Sequence, residues 1–318
     1  MRDLFSFPGG RRFDLLAFGD PNIDLLFKVE RAPAADQKVL GRRLPPFAGG
    51  TVANVACAAS LLGRPTLAYG RIAGDAEGAF LSREYERFGV VLDYVRVVHG
   101  ATSPTALIII EASGEKALVY SPMPGPTLHE ETFAAALAQC RLLYAMPYDL
   151  PEFERLHQLA REAGVPLAID IEAAMVAGRD ELHRLLSMAD LVFMNDSTYR
   201  TVIGAEPDAA GMAALLARGP RMLVVTRGAR GAMLSARDPG QASAPRAMMQ
   251  QAFPARVVDA TGAGDSFNGA FLAALLEGQA AAEALRYACA AGSIAVTATG
   301  ARSALPTRAQ IQSLLDHA

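Results

Sequence analysis

The chain has 318 residues, 51% of them hydrophobic and 20% charged. That supplies core for one large α/β domain or two smaller ones and excludes disordered and fibrous classes. A net charge of −3 gives no broad basic field for nucleic acid, so an anionic ligand needs a local cationic pocket. The first element is an apolar strand from Phe13 to Gly19. A second strand alternates from Ile23 to Val29, and Pro33, Gly41, Pro45 and Pro46 then punctuate a loop-rich section. Gly49-Gly50-Thr51 opens a helix that runs to Leu62 and stops at Gly63. A strand over 66–72 leads to a helix over 76–88, for which Asp75 is the expected cap. Strands over 94–98, 105–111 and 116–120 follow, the last two joined by a Ser113-Gly114 hairpin turn.

From Glu131 the pattern changes to regular alternation. Helices over 130–139, 151–163, 180–187 and 208–217 lead to strands over 142–145, 166–170, 191–194 and 221–226. Such alternation implies parallel strands, helices on both faces, and ligands at the carboxyl ends of the strands. The predicted architecture is one doubly wound, mostly parallel α/β domain over 1–318. A small β-sheet lid is inserted at about 22–46 and 101–121.

Cys57, Cys140 and Cys289 are far apart, and no Cys-x-x-Cys occurs, so neither zinc nor a disulfide framework is indicated. The alanine-rich helix over 281–298 is interrupted by Glu283, Arg286 and Tyr287 and makes a poor membrane span. The charged N-terminal stretch around Arg11 and Arg12 has no long apolar run and is not a secretory signal. A reduced cytoplasm is the expected location, with no membrane or nucleic-acid partner.

The stretch Asp259-Ala260-Thr261-Gly262-Ala263-Gly264-Asp265 concentrates the chemistry. Ala255 to Val258 before it reads as a short strand, and Phe271 to Leu276 after it as an apolar helix. Gly262 and Gly264 let the backbone bend and leave the amides of Ala263, Gly264 and Asp265 uncovered at the positive end of a helix dipole, where a phosphate is held. Asp265 either caps that helix or accepts a proton from an attacking hydroxyl. Asn22 and Asp24 stand at the carboxyl end of the first strand, as an Asx-turn or as ligand contacts.

The run from Asp259 to Asp265 closely resembles the C-terminal signature of the ribokinase-like, PfkB-type carbohydrate kinases, Asp-Thr-x-Gly-Ala-Gly-Asp, departing from it only at Ala260. Gly49-Gly50-Thr51-Val52-Ala53-Asn54 resembles the family's first signature, and Asn22-Ile23-Asp24 its sugar-binding segment. The resemblance implies ATP-dependent phosphorylation of a primary hydroxyl of a sugar or sugar-like substrate. Asp265 would be the general base, with Gly262, Ala263 and Gly264 forming the anion site. Asn22, Asp24, Gly49, Gly50 and Asn54 would place the acceptor. Thr226, Arg227, Gly228 and Gly231 match the nucleotide-side turn, and Asn195 matches an Asn-x-x-Glu that organises magnesium, although Thr198 stands in the glutamate's position. The resemblance also implies that the Asp259/Thr261 turn and the tail at Gly300 to Pro306 cradle a monovalent cation, often potassium, through backbone carbonyls. Pairing of two lids would give a homodimer. A nucleoside kinase, a phosphosugar kinase and a non-catalytic sugar or nucleotide sensor are the alternatives on this scaffold.

Overall fold

The computed structural model describes residues 5–237 and 245–317. In chain order, β1 (Phe13–Phe18), β2 (Asn22–Val29), β3 (Gly41–Arg43) and β4 (Phe47–Gly49) precede α1 (Thr51–Leu61). Then come β5 (Thr66–Ala73), α2 (Ala76–Arg87), β6 (Val91–Val98), β7 (Thr105–Glu111) and β8 (Lys116–Ser121). The alternating part holds α3 (Glu130–Leu137), β9 (Cys140–Ala145), α4 (Leu150–Glu162), β10 (Leu167–Ile171), α5 (Arg179–Met188), β11 (Leu191–Asn195), α6 (Asp196–Ile203), α7 (Ala209–Leu216) and β12 (Met222–Thr226). The chain closes with β13 (Ala232–Ala236), β14 (Arg246–Gln250), α8 (Ala263–Leu276), α9 (Ala281–Ala295) and α10 (Arg308–Asp316).

Among the described residues nine strands form the main sheet in the order β14-β13-β12-β11-β10-β9-β1-β5-β6. It is parallel from β12 to β6, with β13 and β14 antiparallel at one edge. All six residues of β1 are buried. Leu15 and Ala17 pack against α1, α8 and α9, whereas Leu16 and Phe18 pack against α3 and α4 on the other face. This period-two division gives a sheet covered on both sides by helices. After β1 the chain builds β5 and β6 on one side, then β9 to β12 on the other. The order therefore reverses at β1, where a ligand crevice opens at the carboxyl ends of the strands.

The helix starts follow local chemistry. Asp75, Asp149, Asn195, Asp208 and Thr307 each accept a backbone amide of the helix that follows, so the first-turn donors are satisfied. Asp75 is thus the cap that its position implied.

A second sheet has the order β3-β2-β7-β8, with β4 paired to β2. The parallel β2–β7 pair runs in register from Ile23↔Thr105 to Val29↔Glu111. β8 is its outer strand and is exposed throughout, with Leu118 and Val119 59% and 65% accessible.

One local expectation fails. Ala255 to Val258 is not a strand, and Val257 and Val258 lie exposed. The sheet edge is already occupied by β14, so this stretch spans from that edge to α8. It is tied by Val258 N donating to Val296 O at 2.8 Å. The helix after the glycine motif begins at Ala263, as the motif implied, and takes in the apolar run from Phe271 to Leu276. Strands β3, β4 and β14 also went unpredicted, because three to five residues are too few for a periodic signal.

Candidate active site

Helices α1 and α8 lie close because small residues face each other. A Cβ on Gly269 of α8 would stand 2.6 Å from the Ala58 Cβ of α1. The crossing brings the first turns of both helices together. There Asn54 Nδ2 donates to Asp265 Oδ2 at 2.7 Å. The other end of the same amide is held too: Arg302 Nε donates to Asn54 Oδ1 at 2.7 Å, and Arg302 Nη2 to the Gly49 carbonyl at 2.8 Å. Arg302 is buried, and its guanidinium lies over the Tyr85 ring, 5.6 Å from the centroid. Its orientation is therefore fixed by two acceptors and an aromatic face.

The turn that opens α8 needs glycine at Gly262, where φ is 75° and a Cβ would meet Ala301. The amides of Gly264 and Asp265 have neither a backbone nor a side-chain acceptor. The Ala263 amide, expected to be free with them, donates to the Ala260 carbonyl at 3.3 Å. Its closure of the turn is the reason: a tight glycine turn satisfies its own first donor. Two free amides at the positive end of a fourteen-residue helix make a place for an anion.

Asp24 lies beside this centre on β2. Asn22 Nδ2 donates to Asp24 Oδ1 at 2.6 Å, and both side chains are buried. β4 runs antiparallel to β2, with Gly49 opposite Asn22. A Cβ on Gly49 would stand inside the Asp24 carboxylate, so only glycine leaves this carboxylate its space. Gly50, with φ 95°, turns the chain from β4 into α1.

The site's charges are held away from their ordinary values. Burial raises the Asp265 carboxyl to about 7, against the bond from Asn54, with Glu172 and Asp24 adding to the rise and Arg302 opposing it. Burial likewise raises Asp24 to about 6, against Asn22 and Arg302. Asp170, at the end of β10, is raised to about 8 by burial, by Asp265 and by Glu172, although Asn268 Nδ2 donates to it at 2.8 Å. Asp170 and Asp265 repel one another, both are raised, and they titrate as a pair. Asp259 is the opposite case. Burial would raise it, but bonds from Lys116, the Gly300 amide and Thr261 outweigh that and hold it at about 2.

The residues expected on the nucleotide side form a separate group. Asn195 ends β11 and pairs in register with Thr226 at the end of β12. Asn195 Oδ1 is committed to the Thr198 amide at 2.7 Å, and Thr198 is buried. Gly228 has φ 54° and Gly231 φ 82°, and Arg227 N donates to the Gly231 carbonyl at 2.7 Å, which closes the turn. Asp196, next to Asn195, forms ion pairs with Arg200 and Arg230.

A model of the pfkB family of carbohydrate kinases matches residues 12–308. The chain belongs to that family. Among its relatives, the ribokinase of Haemophilus influenzae is 28% identical over 316 residues, covering 96% of this chain and 100% of that protein. The fructokinase of Klebsiella pneumoniae is 31% identical over 300 residues, covering 86% of this chain and 93% of that protein. The structure of Arabidopsis thaliana ribokinase complexed with ribose and ATP superposes with a TM-score of 0.82 at 26% identity, over 95% of this chain and 98% of that one. The fold is ribokinase-like, and the family is one of carbohydrate kinases, as the resemblance implied.

Two polar residues of this PfkB-family centre had no expected role in the sequence. Arg302 sits within the recognised tail segment but shows no local signal of its contact with Asn54, 248 residues away. Lys116 reads as the start of a lid strand, yet reaches Asp259 across 143 residues. No helix among the described residues is long and apolar enough to cross a membrane.

Proposed function

We propose that the chain transfers the γ-phosphoryl group of ATP to a primary hydroxyl of a sugar or sugar-like acceptor, with Asp265 as the general base. One observation carries this reading. The Asp265 carboxylate, fixed by Asn54 at 2.7 Å, stands at a helix start whose Gly264 and Asp265 amides have no protein partner. An anion bound to those amides and a hydroxyl donating to Asp265 would meet in line. A carboxyl raised to about 7 is half ionised near neutral pH and basic enough to take the proton as the oxygen–phosphorus bond forms.

Asp24, steadied by Asn22, supplies acceptor oxygens for sugar hydroxyls. Gly49, Gly50 and Asn54 shape the floor beneath them. The second sheet closes over the acceptor and keeps water from the phosphoryl group. Thr226, Arg227, Gly228 and Gly231 form the nucleotide side, with Asn195 next to them in register. The Gly264 and Asp265 amides receive the charge of the phosphoryl oxygens.

Magnesium fits this site as a metal carried by the triphosphate and its waters. Glu172 is half-buried, no group among the described residues donates to its carboxylate, and its charge reaches Asp265. Glu172 would accept from the metal's water shell. When bound, the metal supplies neutralisation of the triphosphate charge.

The acceptor class is tested by incubating the protein with ATP, magnesium and a panel of sugars, sugar phosphates and nucleosides. ADP released with a free sugar supports the reading; release only with a nucleoside moves the acceptor, and none with any acceptor supports a sensor.

The exposed apolar strand β8, with Leu118, Val119 and Tyr120, supports a homodimer paired through the lids, each subunit with its own site. Sedimentation at the 33.6 kDa monomer mass with full activity would end that part. Three free, buried cysteines support a reduced cytoplasmic setting.

A further inference from the structure

Lys116 opens β8 of the lid, but its ammonium lies on the turn that opens α8. Nζ donates to Asp259 Oδ1 at 2.8 Å and to Thr261 Oγ1 at 2.7 Å. The remaining valences of Asp259 are also taken. Oδ1 accepts from the Thr261 amide at 3.0 Å and from Thr261 Oγ1 at 2.7 Å, and Oδ2 accepts from the Gly300 amide at 3.0 Å. A monovalent cation held by the carbonyls of this turn, which the family resemblance led us to expect, would lie against an ammonium already seated on its side chains. Like charge repels at that range, and the donor hydrogens already fill the approach. These side chains do not fit a metal ion.

We propose that the Lys116 ammonium takes the place of the monovalent cation. It pins the Asp259–Gly262 turn, and through it the free amides of Gly264 and Asp265, only while the lid is shut. The coupling follows from connectivity. β8 is bonded to β7 and β7 to β2, so a lid that lifts withdraws Lys116 from Asp259. Gly262 packs on Ala301, beside the Gly300 amide held by the same carboxylate, so the turn and the tail loop move as one piece. A salt ion that diffuses freely gives no such link between acceptor closure and the anion site. Lys116 is a positioning residue here, and its effect on turnover rests on the phosphoryl-transfer reading.

The test compares the parent, Lys116→Met and Lys116→Arg in potassium chloride and in tetramethylammonium chloride of equal ionic strength. The parent should turn over within about twofold in the two salts, while K116M should lose roughly tenfold or more in tetramethylammonium, a part of what losing an oxyanion donor costs. Potassium should restore much of that loss in K116M, and K116R should retain most of the parent's rate without it. Melting temperature gives a readout that needs no turnover: potassium should leave the parent unchanged and raise K116M, whose vacated oxygens now bind it. A parent activated or thermally stabilised by potassium, or a folded K116M that responds to it in neither measurement, would overturn the inference. Absence of ADP in every sample would instead count against the kinase reading, while the melting data would still decide the role of Lys116.

Discussion

Asn54 and Asp265, 211 residues apart in sequence, are joined by a hydrogen bond of 2.7 Å at the meeting point of two helix starts. The bond favours the ionised carboxylate, against the burial that raises it to about 7. Proton transfer to Asp265 needs that ionised form, so kcat/KM for the acceptor should rise with pH through a midpoint near 7. In Asn54→Ala the midpoint should move to higher pH, because an opposing influence is gone. A pH–rate profile of both proteins checks this; coincident midpoints would detach Asn54 from the titration.

Arg302 acts one step further out. It donates to Asn54 and to the Gly49 carbonyl, and its charge lowers the Asp265 carboxyl. Arg302→Gln should also shift the acid limb of the profile upward and reduce turnover about tenfold. It should cost about 1–3 kcal/mol of stability by leaving buried acceptors short of a donor. Arg302→Lys, which keeps the charge, should recover the pH midpoint more fully than the turnover. A midpoint unchanged in both variants would reduce Arg302 to a packing role.

Acceptor and nucleotide binding should separate on β2 and β4. Asp24→Ala removes the carboxylate proposed to accept sugar hydroxyls, and Gly49→Ala drives a methyl group into the Asp24 carboxylate. Each should raise the acceptor KM by roughly tenfold or more while changing the ATP KM by less than about twofold. Equal effects on the two substrates would make Asp24 a structural residue at the end of the crevice.

The buried base should weaken the fold. Asp265 is raised from an ordinary 3.8 to about 7, so the folded state keeps a proton that the unfolded chain has lost between those values. Its contribution is therefore fully present below pH 3.8 and lost as pH rises through 7. Asp265→Asn, which cannot ionise, should melt a few degrees above the parent at pH 8 and show no such gain near pH 4. Thermal melts across that range check the sign, and a gain independent of pH would contradict it.

Much of this centre was legible because local chemistry forced it. The glycines at 49, 50 and 262 are demanded by a carboxylate, a turn and a packed loop that no side chain allows. The β–α alternation from Glu131 onward likewise leads to a parallel sheet with little ambiguity. Arg302 and Lys116 were not legible in their roles, since their partners lie 248 and 143 residues away and only tertiary packing joins them. The error at Val257 and Val258 has a different source. Two β-branched residues satisfy a strand pattern, but the sheet edge that they would extend is already held by β14.

Turnover of Asp265→Asn tests the central assignment most directly. The substitution keeps the size of the side chain and its place beside Asn54, and it removes only the ability to take a proton. With ATP affinity preserved and the fold intact, the rate of ADP formation at saturating acceptor should fall by roughly 10²–10⁴-fold, the span of a lost general base. A rate within about threefold of the parent would contradict the assignment of Asp265 as the base.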